Sequence, residues 1–414
     1  MPTTLLQRGR RTGRERRATT LTGVSRLVPL ALPLLLAAIL AGCGGSGSAP
    51  GDTAAGGGRS VELHPIAGSF QPNGVGFGEC ASAAQPERCL EQAYGNLAYR
   101  QGPKTALRRL VREMAAKPEV ERGCHRIVHT IGSAGLARRG GDVGRAFTDG
   151  DATCWSGYYH GILERALLGA ATDELLGAAV RSICADVLRD EPRFISYQCV
   201  HGLGHGLMIH TGLDLPRSLR HCERLATEWE QVSCDGGVFM ENFSTSYGVT
   251  SRYVKDDDLL YPCDAVKERH KLYCYLQITD RLLSETGYDW RRAAALCAGA
   301  ERAWRATCFQ SFGRSASGTA RLDRGLLLRT CAVPAARWRG ECVYGAVRDI
   351  ASNDAGAPRA IDFCRAVAGP LRARCFYGLG TILAGIERDA AGLRRACAAV
   401  PAAYRPECRL ERTG

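Results

Sequence analysis

Most of the short motifs that mark an enzyme are missing from this 414-residue chain. It has no Gly-x-Gly-x-x-Gly leading into a dinucleotide pattern, no P-loop, no Gly-x-Ser-x-Gly elbow, no His-Glu-x-x-His and no Cys-x-x-Cys-His. Nucleotide-dependent chemistry, serine hydrolysis of the elbow type, the common zinc-protease helix and covalent haem therefore lack sequence support. No basic helix with interleaved aromatic residues occurs, so nucleic acid is not an expected partner. Strand-like alternation of β-branched residues is absent as well. The acidic run Lys255-Asp256-Asp257-Asp258 lacks the spaced oxygen ligands and turn glycine of a calcium loop and reads as solvated.

What is present begins with an arginine-rich segment, RGRRTGRERR from Arg8 to Arg17, followed by the apolar run LVPLALPLLLAAILAG from Leu27 to Gly42. The run is too short and too broken by proline to be a good membrane span, and in this order the two segments read as an export signal. It ends in Leu40-Ala41-Gly42-Cys43, which resembles the lipobox of bacterial lipoproteins at all four positions. The resemblance implies cleavage before Cys43, a lipid on its sulfur, and an extracytoplasmic protein anchored to the bacterial cell membrane. The following GGSGSAPGDTAAGGG has the composition of a flexible tether.

Loss of residues 1–42, with seven Arg and one Glu, lowers the formal charge from +12 to +6. That mild excess suits a position near anionic lipid or wall polymer. Of the 19 cysteines, Cys43 is accounted for, and the remaining 18 are an even number in an oxidising setting. Spacing narrows the pairing further. Cys263/Cys274, Cys297/Cys308, Cys331/Cys342, Cys364/Cys375 and Cys397/Cys408 each enclose ten residues. Looser versions precede them: Cys222/Cys234 enclose 11 residues, Cys184/Cys199 enclose 14 and Cys80/Cys89 enclose 8, which leaves Cys124 with Cys154.

The first members of the regular pairs lie 34, 34, 33 and 33 residues apart, a period in the range of helix-turn-helix solenoids. Within a unit an apolar stretch ends near the first cysteine, a short loop follows, and a second stretch opens at the second cysteine. The expected fold class is all-α: an α/α solenoid of helical hairpins with a period of about 34 residues, each stapled across its loop. Disulfide-linked hairpins at this period are similar in architecture to Sel1-like cysteine-rich repeat proteins, although the enclosed lengths differ. The likeness implies stacked hairpins and no activity. The expected organisation is a signal peptide at 1–42, a tether at 43–62, irregular helical units at 63–210 and regular stapled repeats at 211–414.

Aligned on the second cysteine, the units read CWSGYYHGILE from Cys154, CVHGLGHGLMI from Cys199, CDGGVFMENFS from Cys234, CYLQITDRLLS from Cys274, CFQSFGRSASG from Cys308, CVYGAVRDIAS from Cys342 and CFYGLGTILAG from Cys375. Three residues on stand Gly157, Gly202, Gly237, Gly345 and Gly378, with Ser311 also small and Gln277 the outlier. A small residue there predicts close helix approach. Where CVHGLGHGL has His201 and His205, CFYGLGTIL keeps the glycines but has Tyr377 and Thr381. The scaffold therefore does not demand histidine. Six residues after the cysteine stand His160, His205, Met240, Asp280, Arg314, Arg348 and Thr381, a variability expected of a surface or groove.

Five of the nine histidines fall between residues 125 and 205, in three i, i+4 pairings: His125 with His129, His160 with Glu164, and His201 with His205. On a helix that spacing puts both side chains on one face about 6 Å apart, within reach of one ion. Imidazoles with a carboxylate suit Zn, Cu or Fe. His125 and His129 sit one and five residues after Cys124 rather than two and six, an offset that rotates them by about 100° on a helix.

The expected site is a mononuclear or dinuclear metal centre with His125, His129, His160, Glu164, His201 and His205 as ligands, Glu164 being a ligand or a general base. Two other readings stand beside it. In one, the concave face of the array binds a protein, peptide or glycan and the histidines are incidental; in the other, two histidines hold non-covalent haem. His210 is an outer group at most, and His64, His221 and His270 have no expected role. Met240-Glu241-Asn242 occupies the equivalent place in the unit after Cys234, so Glu241 could approach the same groove, although core or cap is the favoured reading; Trp155, Tyr158 and Tyr159 read as packing that flanks His160.

Overall fold

Short polar side chains and prolines set where the helices begin. Asp142, Thr172, Asp214, Thr227, Asp289, Asp323 and Asp389 each accept a backbone N–H in the first turn of the helix that follows. Pro86, Pro103 and Pro118 open three more helices, where a missing N–H costs nothing. The turns before Asp214 and Asp289 share a pattern: Gly212-Leu213 and Gly287-Tyr288 are left-handed, which ends one helix and frees the next.

A computed structural model describes residues 69–413 apart from 152, 155, 246–248, 321–322, 354–356 and 388. The export segment, Cys43, the tether, His64 and Trp155 lie outside the described residues. Among those described there are nineteen α-helices and no strand. They run α1 (Pro86–Gln101), α2 (Pro103–Met114), α3 (Pro118–Arg138), α4 (Val143–Phe147), α5 (Gly157–Leu167), α6 (Asp173–Ser182), α7 (Ala185–Asp190), α8 (Arg193–His210), α9 (Leu215–Cys222) and α10 (Glu228–Phe243). There follow α11 (Lys271–Glu285), α12 (Trp290–Gly299), α13 (Arg305–Ala320), α14 (Arg324–Cys331), α15 (Ala336–Asn353), α16 (Pro358–Ala366), α17 (Gly369–Ile386), α18 (Ala390–Ala396) and α19 (Arg405–Cys408).

The longer helices form one row in which α1, α3, α5, α8, α10, α11, α13, α15 and α17 pack each on the next, with the short helices alongside them. The row carries one continuous apolar core, from Leu107, Ile131 and Leu163 through Leu203 and Val238 to Phe312, Val347 and Phe376. It curls far enough that α17 returns against α8. Units before and after residue 210 are thus parts of one array.

Nine disulfides join the cysteines. In three of the regular units the bond ties the end of a short helix to the next long one, as Cys297 of α12 with Cys308 of α13. Cys263 reaches α11 from a turn, and Cys397–Cys408 ties a 3-10 turn to the short α19. Closing such a loop contributes about 3 kcal/mol through chain entropy. Two further bridges depart from the expected staple. Cys124–Cys154 ties α3 to the segment leading into α5, two neighbours in the row. Cys80–Cys89 pairs as the spacing suggests but joins no helical hairpin: Cys80 lies in a 3-10 turn, Phe77–Ser82, and Cys89 in the first turn of α1. Among the described residues no α-helix precedes that turn, so this bridge pins the start of the row instead of stapling a unit. Cys89 is accordingly half-buried, whereas the cysteines of the five regular pairs are all buried.

Long helices meet backbone to backbone at glycines. A Cβ on Gly204 of α8 would lie 2.1 Å from the Cys234 carbonyl oxygen of α10, and one on Gly237 of α10 would lie 1.9 Å from that of His201. The α3/α5 crossing repeats this reciprocity, with Gly132 2.0 Å from the Tyr158 oxygen and Gly161 1.8 Å from that of His129. Gly313 and Gly345 do the same between α13 and α15. At Gly237 and Gly345 the small position three residues after the cysteine is thus half of a device. Its partner, five residues after the preceding unit's cysteine, is Gly204 or Gly313.

Because backbone cannot move aside as a flexible side chain does, Gly161→Ala and Gly237→Ala are each expected to destabilise the fold by about 1–3 kcal/mol in chemical denaturation. Gly318→Ala, on α13 with open space around it, is expected to be neutral or stabilising by up to ~1 kcal/mol. Equal behaviour of all three would contradict the crossings.

Candidate metal centre

The two glycine crossings fall on the histidines. Gly161 lies against the carbonyl of His129, and Gly237 against the carbonyl of His201 and the amide of His205. Side chains one turn apart on α3, α5 and α8 are thereby pressed into one layer, and all six sequence-predicted residues converge. Ring centroids of His125 and His129 are 4.5 Å apart, those of His129 and His160 5.3 Å, those of His160 and His205 4.1 Å, and those of His201 and His205 5.1 Å. Two triads have nitrogens all within 4.8 Å of one another: His125, His129 and His160, and His160, His201 and His205.

The one-residue offset of His125 and His129 does not send them elsewhere. Cys124 does not open a stapled hairpin but bonds across to Cys154, so the register counted from other cysteines does not apply to α3. The expectation of an exposed groove is overturned. His129, His160 and His205 are each 1% exposed, because neighbouring backbones at contact distance enclose whatever projects beside them. The position six after the cysteine lines open space at His160 and, in later units, at Met240, Arg314, Arg348 and Thr381.

Four of the rings are anchored at Nδ1. His125 Nδ1 donates to the Cys154 carbonyl at 2.8 Å, His129 Nδ1 donates to Glu164, and His205 Nδ1 donates to Glu241 at 2.8 Å. The Tyr197 hydroxyl lies 3.3 Å from His201 Nδ1. A carboxylate or carbonyl behind Nδ1 fixes the tautomer that leaves a lone pair on Nε2, the arrangement that supports metal ligands. His125 Nε2 and His129 Nε2 face each other at 3.1 Å. Two lone pairs at that distance repel, so a proton or a cation has to sit between them. Two nitrogens bound to one tetrahedral ion at ~2.0–2.1 Å are separated by about 3.3 Å. Neither nitrogen of His160, nor Nε2 of His205, has a hydrogen-bond partner.

Burial, followed by the neighbouring histidines, holds His160 and His201 well below the ordinary pKa and depresses His125 and His205 to about 3. His129 is the exception. Burial opposes its charge, but Glu164, by charge and hydrogen bond, with Glu241 and Glu91 further off, raises it. The set is therefore neutral and ready to ligate apart from one proton, placed where the two Nε2 atoms meet.

Glu164 stands behind His129 as its hydrogen-bond acceptor. Sequence reasoning favoured core or a cap for Glu241 over an approach to the histidines; the structure places it, 0% exposed, behind His205. It lies one residue beyond the aligned position that His205 occupies in its own unit. Tyr158 and Tyr159 are packing: the Tyr158 hydroxyl donates to the Ala146 carbonyl at 2.7 Å and Tyr159 stacks on Phe147. His221 pairs with Asp173, and His270 with Asp235 and Glu223, all away from the cluster. His210 closes α8 beyond the triads, at the Ala170 backbone.

His160 and His201 also form part of the wall of a partly open chamber of about 660 Å³, which lies between α8, α10, α11, α13, α15 and α17. Its lining includes Tyr197, Trp229, Tyr273 and Tyr344 and the guanidinium groups of Arg314 and Arg348. Arg314 pairs with Asp280, and the Nε atoms of both arginines are buried without partners. Comparison with known protein families, with curated proteins and with solved structures finds no match.

Four histidines resist protonation when folded but accept it near the ordinary value of 6.5 when unfolded. In the metal-free protein their contribution is full above that value. It is lost as pH falls below that value, toward about 3 for His125 and His205, on the order of 1 kcal/mol per pH unit for each of those two, with His160 and His201 acting in the same direction. His129 acts oppositely, adding stability at low pH that disappears as pH rises through its elevated pKa, and four outweigh one. Denaturation of chelator-treated protein from about pH 7 to pH 5 is expected to show falling stability; a flat or rising profile would contradict the burial.

Proposed function

We propose that this chain is an exported, lipid-anchored metalloprotein, that its five histidines hold zinc, copper or iron, and that it acts on a small acidic molecule admitted to the chamber. The observation that carries the reading is the pair of imidazole Nε2 atoms facing at 3.1 Å with both Nδ1 atoms committed behind them. Apolar packing alone does not reward that arrangement: it needs a proton or a cation between the two nitrogens, and a shared ion supplies the latter. Nine disulfides favour an oxidising compartment, which agrees with the export signal and lipobox. No described helix is long and apolar enough to cross a membrane.

Closure of the site favours a resident ion over one in transit, and hence a metalloenzyme over a metal carrier. A bound metal would supply Lewis-acid or redox chemistry at the chamber wall. The chain's own part is positional. Glu164 and Glu241 hold two rings in orientation, and the helix crossings exclude water. Arg314 and Arg348 give the chamber a cationic wall that suits a carboxylate or phosphate on the substrate, and the tyrosines suit a planar body. Glu164 is already engaged by His129, which supports an orienting role in preference to that of general base.

The other two readings are less well supported. The inner face of the array carries a partly open pocket, and at about 660 Å³ it has the volume of a small-molecule pocket rather than of a protein-docking surface. The rings pack with centroids 4.1–5.7 Å apart, leaving no slot for a porphyrin between two of them.

Elemental analysis of the purified protein is expected to find transition metal in stoichiometric amount. A variant with His160, His201 and His205 all changed to Ala is expected to lose metal, and Glu241→Gln to bind it about 10–100-fold more weakly. Unchanged metal content in the triple variant would refute the site, and a Soret band would favour haem.

A further inference from the structure

His160 differs from the other four rings. It alone belongs to both triads, and it lies on α5, between α3 and α8 in the row. Its ring is 5.3 Å from that of His129 on one side and 4.1 Å from that of His205 on the other. The other four each direct Nδ1 at a neighbouring protein oxygen, which leaves Nε2 as the nitrogen that would face an ion, those of His125 and His129 already meeting each other at 3.1 Å. His160 offers two, neither with a hydrogen-bond partner, on a side chain 1% exposed.

A neutral imidazole must carry a proton on one nitrogen. On His160 that N–H would be buried with no acceptor, a standing cost that native structures rarely leave uncompensated. If instead each nitrogen binds an ion, both positions are satisfied. Counted in this way the five rings supply six nitrogens, three for each of two ions.

Resting on the metal-binding reading above, we infer that His160 bridges two metal ions as an imidazolate, one ion shared with His125 and His129 and the other with His201 and His205. When the second ion binds, the remaining N–H bond of His160 breaks, its electron pair passes to the metal–nitrogen bond, and the proton leaves for solvent. No electron transfer is involved. Two divalent cations bring four positive charges into a closed site, and the carboxylates of Glu164 and Glu241 with the imidazolate offset three of them. The first triad already points two nitrogens at each other, whereas His205 stacks on His160 with planes 17° apart. Convergence on the second ion requires one ring to tilt, so the two ions load in order.

Copper(II) added to the purified, chelator-treated protein tests the bridge. The expected result is two ions bound per chain, with electron paramagnetic resonance intensity well below the total copper because the bridged spins couple, and proton release with the second equivalent. His160→Gln, checked for native helix content by circular dichroism, is expected to show only magnetically isolated copper at full intensity. Two ions at full, uncoupled intensity in the unaltered protein, or one ion per chain at saturation, would overturn the bridge while leaving a metal site. Absence of bound copper, zinc and iron alike would overturn the metal reading itself. The unaltered protein decides between these outcomes even if the variant does not fold.

Discussion

Helix backbones in direct contact are the constraint on which the rest depends. At the α3/α5 and α8/α10 crossings, carbonyl oxygens lie only 1.8–2.1 Å from where a Cβ on Gly132, Gly161, Gly204 or Gly237 would sit. Such proximity leaves no layer of side chains between the helices. What projects beside the crossing must fit into a narrow space among three or four backbones, and in this protein those groups are imidazoles. The same geometry that makes the array compact therefore makes its histidine layer dry.

Dryness decides the electrostatics. A buried imidazole keeps its lone pair and sheds its proton, as His160, His201 and His205 do. The exception, His129, is raised by the charge and hydrogen bond of Glu164. A cluster of neutral rings with oriented lone pairs and unpartnered nitrogens is costly as plain core and economical as a cation cage. Its position at the wall of a chamber lined by arginine and tyrosine links that cage to the proposed substrate. The regular units from α11 onward contribute little to the cage, but they wall the chamber by bringing α17 back to α8.

The repeat array was legible because cysteine spacing is a one-dimensional signal, and five equal intervals leave little freedom in how the hairpins are stapled. Where the interval shortens, at Cys80 and Cys89, the pairing was legible but the element it joins was not, since a bridge of that span can close a turn as well as a hairpin. The six residues of the cluster were legible through i, i+4 spacing, which a helix turns directly into proximity. Their burial was not, since it depends on which glycine meets which carbonyl, a property of two helices together. Glu241 was legible from the unit alignment only as the less favoured alternative. It supports a ring on another helix, which again is a property of two helices together. The closing of the row by α17 is likewise the sum of small rotations between successive hairpins. Chain order does not display it.

Whether a metal belongs among these five histidines is tested most directly by anomalous diffraction from crystals of the protein, recorded at the absorption edge of the metal it carries. A peak is expected within bonding distance of His160, bounded by His125 and His129 or by His201 and His205. A metal-loaded protein whose anomalous peaks all lie away from these rings would contradict the site.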